Sequence, residues 1–351
     1  MFVTYPIEAT ADNWIHDCIF SVFKTICDAL DNGKTIPAWP EILPTQHQNS
    51  LSSKRTLPTL IKQFEAEAAK LTNVDRANFI RLFFQQNLIA GLLNGSEVIP
   101  IIADELKSII EVAKAVCDEG FSLLTNTEVR DQHYLVIYDS LKIKTCPFCG
   151  IEPFDSPKLR RENLDHYLAR SIYPLSAANF HNLVPMCSKC NQRYKGQIDI
   201  LHNNGNRRKA FNPYGIDCAD INLLNSIIVG ADRIPEWQID LVPDIEETQT
   251  WEDVFSIRIR LTENALNPCY FDWLGEIPDW FSVSQINEHI DNENLLTNLE
   301  AFAAYKSKHK DPGIGFLKHK VIEMLVHHFR QGNEHLIAMI RSSLPKQPII
   351  S

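Results

Sequence analysis

Apolar residues recur at helical spacing along most of this chain, and the rhythm changes in a central stretch and again shortly beyond it. Over residues 12–32 the run Asn13-Trp-Ile-His-Asp-Cys-Ile-Phe-Ser-Val-Phe places apolar groups on one helical face, and Asn32-Gly33 is the expected stop. Residues 35–58 carry four prolines among polar residues and read as an exposed connection. Helical patterns follow at about 58–71, 75–94, 97–118 and 127–140, with Asn94-Gly95 as a separator. Phe79, Leu82, Phe83 and Leu88 form a stripe that reads as core. Residues 1–140 are therefore predicted to be all-helical, and they contain no catalytic motif.

Within the central unit, 141–215, Asn163–Leu168 reads as a short strand and Asn182–Met186 as its partner. Beyond it, Trp237–Val242 and Val254–Ile259 alternate as strands do, although the second also fits the start of a helix. Helical patterning returns over 283–308 and 313–344, with Pro312-Gly313 as a break, and the final Pro345-Lys-Gln-Pro-Ile-Ile-Ser351 reads as a frayed or short extension. The fold class predicted is α+β: a mainly helical chain with a small central unit and a mixed, mostly helical region over 216–351.

No run approaches the length of a transmembrane helix, and Met1-Phe-Val-Thr-Tyr-Pro lacks the basic and apolar parts of a signal peptide, so a cytoplasmic protein without membrane contact is expected. The net charge of −10 argues against a nucleic-acid protein until it is divided along the chain. Residues 142–209 hold twelve Lys/Arg against five Asp/Glu, a local +7, which leaves −17 for the remainder. A basic island in an acidic chain fits a local phosphate-binding face.

Four of the nine cysteines form two C-x-x-C turns, Cys146-Pro-Phe-Cys149 and Cys187-Ser-Lys-Cys190, with 37 residues between them. Four thiolates in two such turns are the ligand set of a closed tetrahedral zinc site. A redox C-x-x-C needs only one pair on a thioredoxin-like βαβ unit, and no such unit is visible. Cys18, Cys27, Cys117, Cys218 and Cys269 follow no rhythm and read as buried or inert thiols. The long gap must hold folded chain, and it encloses Asp165-His166 and Asn182, while Asn191 follows Cys190 directly. Neighbouring strand residues face opposite ways, so Asp165 and His166 can serve a metal and a water separately. Lys195 lies one helical turn beyond Asn191 on the same face. A soft four-sulfur site keeps zinc, whereas oxygen donors suit Mg²⁺ or Mn²⁺.

The series C-x-x-C, Asp-His, Asn-Leu-Val-Pro and C-x-x-C-Asn-x-x-x-Lys-Gly resembles the HNH (ββα-metal) endonucleases in their four-cysteine zinc form, shared by phage Holliday-junction resolving enzymes. The likeness covers about 50 to 70 of the 351 residues. It implies that the central unit is a ββα-metal nuclease core, with His166 as general base, Asp165 and Asn191 as ligands of one catalytic Mg²⁺ or Mn²⁺, and Asn182 pinning the inter-strand loop. It also implies 5′-phosphate and 3′-hydroxyl products from DNA. Two departures stand out: Ala169-Arg170 where many relatives carry Pro-Lys, and Asn191 in place of a last histidine. Arg170, Arg193, Lys195 and His181 are candidate nucleic-acid contacts, as are Arg160, Arg161, Arg207, Arg208 and Lys209, while His202 reads as a surface or packing histidine. Phe211-Asn-Pro-Tyr-Gly215 resembles the aromatic segment that closes such cores. HNH proteins of this build are similar to effectors of bacterial anti-phage defence that work with an ATPase or sensor partner, a role the helical flanks would fill. Two other classes remain open: a non-catalytic zinc-ribbon adaptor that binds nucleic acid or protein, and an RNA-cleaving toxin.

Overall fold

The computed structural model describes residues 1–159, 162–230, 233–284, 290–308 and 313–344. The described chain forms two compact units, and neither is a continuous stretch. One comprises Val3–Lys142 with Phe154–Cys218; the other comprises Met1–Phe2, Ile143–Pro153 and the chain from Ala219 onward. Together they are mainly helical with small antiparallel hairpins, an α+β architecture.

The first unit begins with α1 (Trp14–Asp31), whose Ile15, Ile19, Val22, Phe23 and Ile26 are buried on one face. It stops where Gly33 takes the left-handed conformation at φ +59°. Next come α2 (Thr45–Leu51), α3 (Thr56–Ala68), α4 (Asn73–Gln86), α5 (Ile89–Asn94), α6 (Lys107–Asn126) and α7 (Val129–Ser140). Residues 35–58 therefore include helix as well as loop. Pro58 did not prevent this, because it lies in the first turn of α3, where its missing N–H has no partner to lose. The predicted 75–94 helix is two helices, and the break falls at Asn87 and Leu88. The pattern at 97–118 starts too early and stops too soon: the stretch around Pro100 is not helical, and α6 runs on to Asn126.

Phe23 is the centre of this unit's core, stacked on Phe64 at 4.2 Å between centroids and edge-on to Phe79 and Phe83. The same core takes in Leu164, Leu175, Phe180 and Leu183. Each such side chain contributes roughly 1.5–3 kcal/mol through burial, so the central strands are bound into the helical core. Strand β1 (Asn163–His166) pairs antiparallel with β2 (Leu183–Met186), with Asp165 opposite Val184 and His166 opposite Leu183. A π-helical segment, Lys189–Lys195, follows β2. A small hairpin of β3 (His202–Asn203) and β4 (Asn206–Arg207) comes next.

In the second unit β5 (Asp220–Asn222) pairs with β6 (Asp240–Val242), so only the end of the predicted Trp237–Val242 strand is one. The stretch 254–259 is helical: α8 (Glu246–Phe255) and α9 (Ile257–Leu261) meet at Ser256, whose φ of +51° makes the turn. Its β-branched isoleucines imitate a strand, but Val254, Phe255, Ile257 and Leu261 are buried at helical intervals. Helix α10 (Asn267–Val283) had no counterpart in the pattern, which is interrupted by Pro268 and Pro278. Helices α11 (Asn292–Lys308), α12 (Gly315–Arg330) and α13 (Glu334–Ser343) complete the unit. Pro312 and the terminal segment 345–351 lie outside the described residues. No described helix is long and apolar enough to cross a membrane.

Candidate functional site

The first C-x-x-C turn is closed by backbone bonds, with Cys149 N and Gly150 N donating to Cys146 O at 3.2 and 2.8 Å and Cys146 N to Glu152 O at 2.8 Å. Gly150 has φ +67°, and a Cβ there would stand 2.9 Å from the Phe316 ring, so glycine is required twice over. Trp251 Nε1 donates to Phe148 O at 2.8 Å, and the Phe148 and Phe255 rings pack at 5.2 Å. In the second turn the Cys190 amide donates to Cys187 Sγ at 3.4 Å and the Asn191 amide to Cys187 O at 2.9 Å. All four sulfurs are buried, lie within 4.8 Å of one another, and form no disulfide. Tetrahedral zinc with Zn–S bonds of about 2.3 Å separates its sulfurs by about 3.8 Å, so donor type and spacing both fit a structural zinc. Among the remaining thiols Cys18, Cys27 and Cys117 are buried, and burial raises each thiol pKa, to about 12 for the first two. Cys218 is exposed and Cys269 half-buried.

Asp165 and His166 face opposite sides of β1. Asp165 is 7% exposed, and its Oδ2 forms an ion pair with Lys195 Nζ at 2.9 Å. Burial pushes its carboxyl above the usual range, while the Lys195 ammonium pulls it down. Lys195 is itself 1% exposed and donates to the His166 carbonyl at 2.8 Å. Expected as a nucleic-acid contact, it instead points inward and ties the end of the π-helical segment to β1.

On the other face the His166 ring packs on Phe121 of α6 at 4.5 Å, and its Nε2 lies 3.0 Å from Ala177 O. A carbonyl only accepts, so Nε2 carries the proton and Nδ1 keeps the lone pair. Burial lowers the imidazole pKa to about 4, and the Ala177 bond opposes that shift. The ring is neutral at pH 7.

Asn182 is fully buried and joins the two ends of the segment between β1 and β2. Its Oδ1 accepts from Leu168 N at 2.7 Å, and its Nδ2 donates to Leu168 O at 3.1 Å and to Ser176 Oγ at 3.0 Å. Asn191 is half-buried at the start of the segment that follows Cys190; among the described residues its side-chain amide has no hydrogen-bond partner.

Of the expected nucleic-acid contacts, Arg193 is exposed, and Arg170 is half-exposed, 3.5 Å from Asp118 Oδ1 of α6. His181 is half-buried, with burial lowering its pKa and nearby Asp17 raising it. Arg207 donates to the carbonyls of Arg208 and Leu92, and Arg208 Nε to Ile200 O at 2.9 Å, so both serve the backbone. Lys209 is exposed, and His202 Nδ1 lies 2.7 Å from Asp199 Oδ2. Arg160 and Arg161 lie outside the described residues. Tyr214, in the expected closing segment, packs on Tyr5 at 5.8 Å and donates to Leu183 O.

Three participants escaped sequence reasoning: Phe121, Ser176 and the carbonyl of Ala177. A backbone carbonyl has no signature in residue type, and Phe121 lies in the part of α6 beyond the helical pattern at 97–118. Comparison with family models, with curated proteins and with solved structures found no match to this chain.

Proposed function

We propose that the chain is a metal-dependent endonuclease with an HNH (ββα-metal) core, hydrolysing phosphodiester bonds in DNA. The observation that carries this reading is the geometry of His166: its Nε2–H is held by Ala177 O at 3.0 Å, leaving Nδ1 as the basic nitrogen, on a strand whose opposite face carries Asp165. In the proposed reaction His166 Nδ1 takes a proton from the attacking water, and the Ala177 carbonyl steadies the imidazolium that forms. Asp165 and Asn191 would hold the divalent ion. Lys195 supports that assignment by joining the two: it pairs with Asp165 Oδ2 at 2.9 Å and ends the segment in which Asn191 follows Cys190. When bound, such an ion offsets charge on the phosphate oxygens. Lys195 keeps β1 and the segment bearing Asn191 together, and Arg170 and Arg193 supply cations for the DNA backbone. The four-cysteine site would place Asn191 through its neighbour Cys190.

Supercoiled plasmid, single-stranded DNA and RNA incubated with the full chain and Mg²⁺ or Mn²⁺ test the proposal. We expect metal-dependent cutting of DNA that His166→Ala abolishes. Cutting of RNA alone would move the substrate class. Zinc-dependent binding without any cutting would replace the nuclease with an adaptor.

A further inference from the structure

The carbonyl that holds His166 belongs to the segment between β1 and β2, and that segment is anchored by residues far from it in sequence. Ala177 lies midway between two attachment points, Leu175 and Asn179. At the first, Leu175 N donates to Gln86 Oε1 at 3.1 Å, and Leu175 O accepts from Asn87 Nδ2 at 3.2 Å. At the second, Asn179 Nδ2 donates to Asn87 Oδ1 at 2.9 Å, while Asn179 Oδ1 accepts from Asn13 Nδ2 at 3.0 Å. Asn13 closes the chain by accepting from Phe180 N at 2.9 Å. Gln86 and Asn87 stand where α4 ends, and Asn13 immediately precedes α1. Gln86 is 1% exposed and Asn179 3%, so the network lies largely out of water, where lost partners are not replaced.

Ending a helix does not require this arrangement. Asn87 Nδ2 already satisfies Phe83 O at 2.8 Å, the ordinary task of an asparagine at a helix end. Its further bonds, to Leu175 O and from Asn179 Nδ2, reach both attachment points at once. Among the described residues no other side chain bonds to both.

We infer that Asn87, with Gln86 and Asn13, is a positioning residue of the candidate nuclease site: by fixing both sides of Ala177 it sets that carbonyl against His166 Nε2 and so decides which imidazole nitrogen is basic. The helical region is then part of the site's geometry, and a ligand or partner that shifts the end of α4 shifts the base. This inference rests on His166 being the base for its catalytic consequence, though not for its structural one.

The test uses the full chain with Mg²⁺ and supercoiled plasmid, together with ¹⁵N-histidine spectra that report which ring nitrogen of His166 is protonated. For Asn87→Ala we expect kcat to fall about tenfold or more with KM within about twofold, as misplacement of a reacting group does. The His166 signal should pass from the Nε2-protonated form to a mixture. Asn13→Ala, at a half-buried position, should move both readouts the same way and serves if Asn87→Ala does not fold. Phe79→Leu loosens α4 from within the core and should leave the tautomer unchanged. Wild-type kcat and tautomer in a folded Asn87→Ala or Asn13→Ala protein would overturn the inference, as would an equal tautomer change in Phe79→Leu. If wild type cuts nothing, the nuclease reading fails, and the tautomer comparison still decides whether Asn87 positions His166.

Discussion

Lys195, almost wholly shielded from water, pairs with Asp165 Oδ2 and donates to the His166 carbonyl. Removing one member of such a pair leaves the other charge buried. Lys195→Met should therefore lower stability by about 3–5 kcal/mol, read from the shift in a urea unfolding curve; a loss below about 1 kcal/mol would mean that Asp165 is held by something else. Arg193→Ala should leave that curve in place, weaken DNA binding whatever the sequence, and reduce the salt slope by about one. Asp165, His166 and Asn182 were legible as site candidates because residue type and spacing carry their chemistry. The inward turn of Lys195 was not legible, because spacing fixes the side of a helix and not what packs against it.

The strand pair was readable from Asn163–Leu168 and Asn182–Met186, where β-forming residues sit between turn residues, and β1 came out two residues shorter and β2 one. Helix α10 was hidden by two prolines, one at its start and one inside. The end of α8 and the start of α9 were obscured by adjacent isoleucines that imitate a strand. Both errors have one cause: local pattern records propensity, and burial overrides it. At this scale the two cysteine turns make the sharpest claim. Cys190→Ser should reduce zinc from about one per chain to none and speed amide exchange over residues 183–196, since such a site contributes roughly 10 kcal/mol or more to folding. Unchanged zinc content in that variant would remove the metal centre as drawn.

Among the described residues, His16, His133 and His166 sit where burial strongly favours the neutral ring. Burial lowers the pKa of His16 to about 4, of His133 to about 3 and of His166 to about 4. Unfolded imidazoles take up protons near pH 6.5, so between that pH and about 4 the unfolded chain binds more protons than the folded one. Stability is then fully present above about 6.5 and is lost as pH falls toward 4. Urea midpoints at pH 7.5 and 5.0 should show the loss. His133→Phe, which preserves the ring stacked on Phe180, should reduce it; equal midpoints at the two pH values would contradict the assignment of neutral buried rings. The division of charge into a basic centre and acidic flanks was legible from sequence, but the sharing of one core by the central strands and helices α1, α3, α4 and α6 was not, because those contacts join residues far apart along the chain, beyond the reach of any local pattern.

The central claim, that His166 is the base of a metal-dependent phosphodiesterase, is tested most directly by chemical rescue. Plasmid cleavage by His166→Ala with Mg²⁺ should fall by about a hundredfold or more, the usual contribution of a general base, and added imidazole should restore part of it. Cleavage by His166→Ala at the wild-type rate, indifferent to imidazole, would contradict the account.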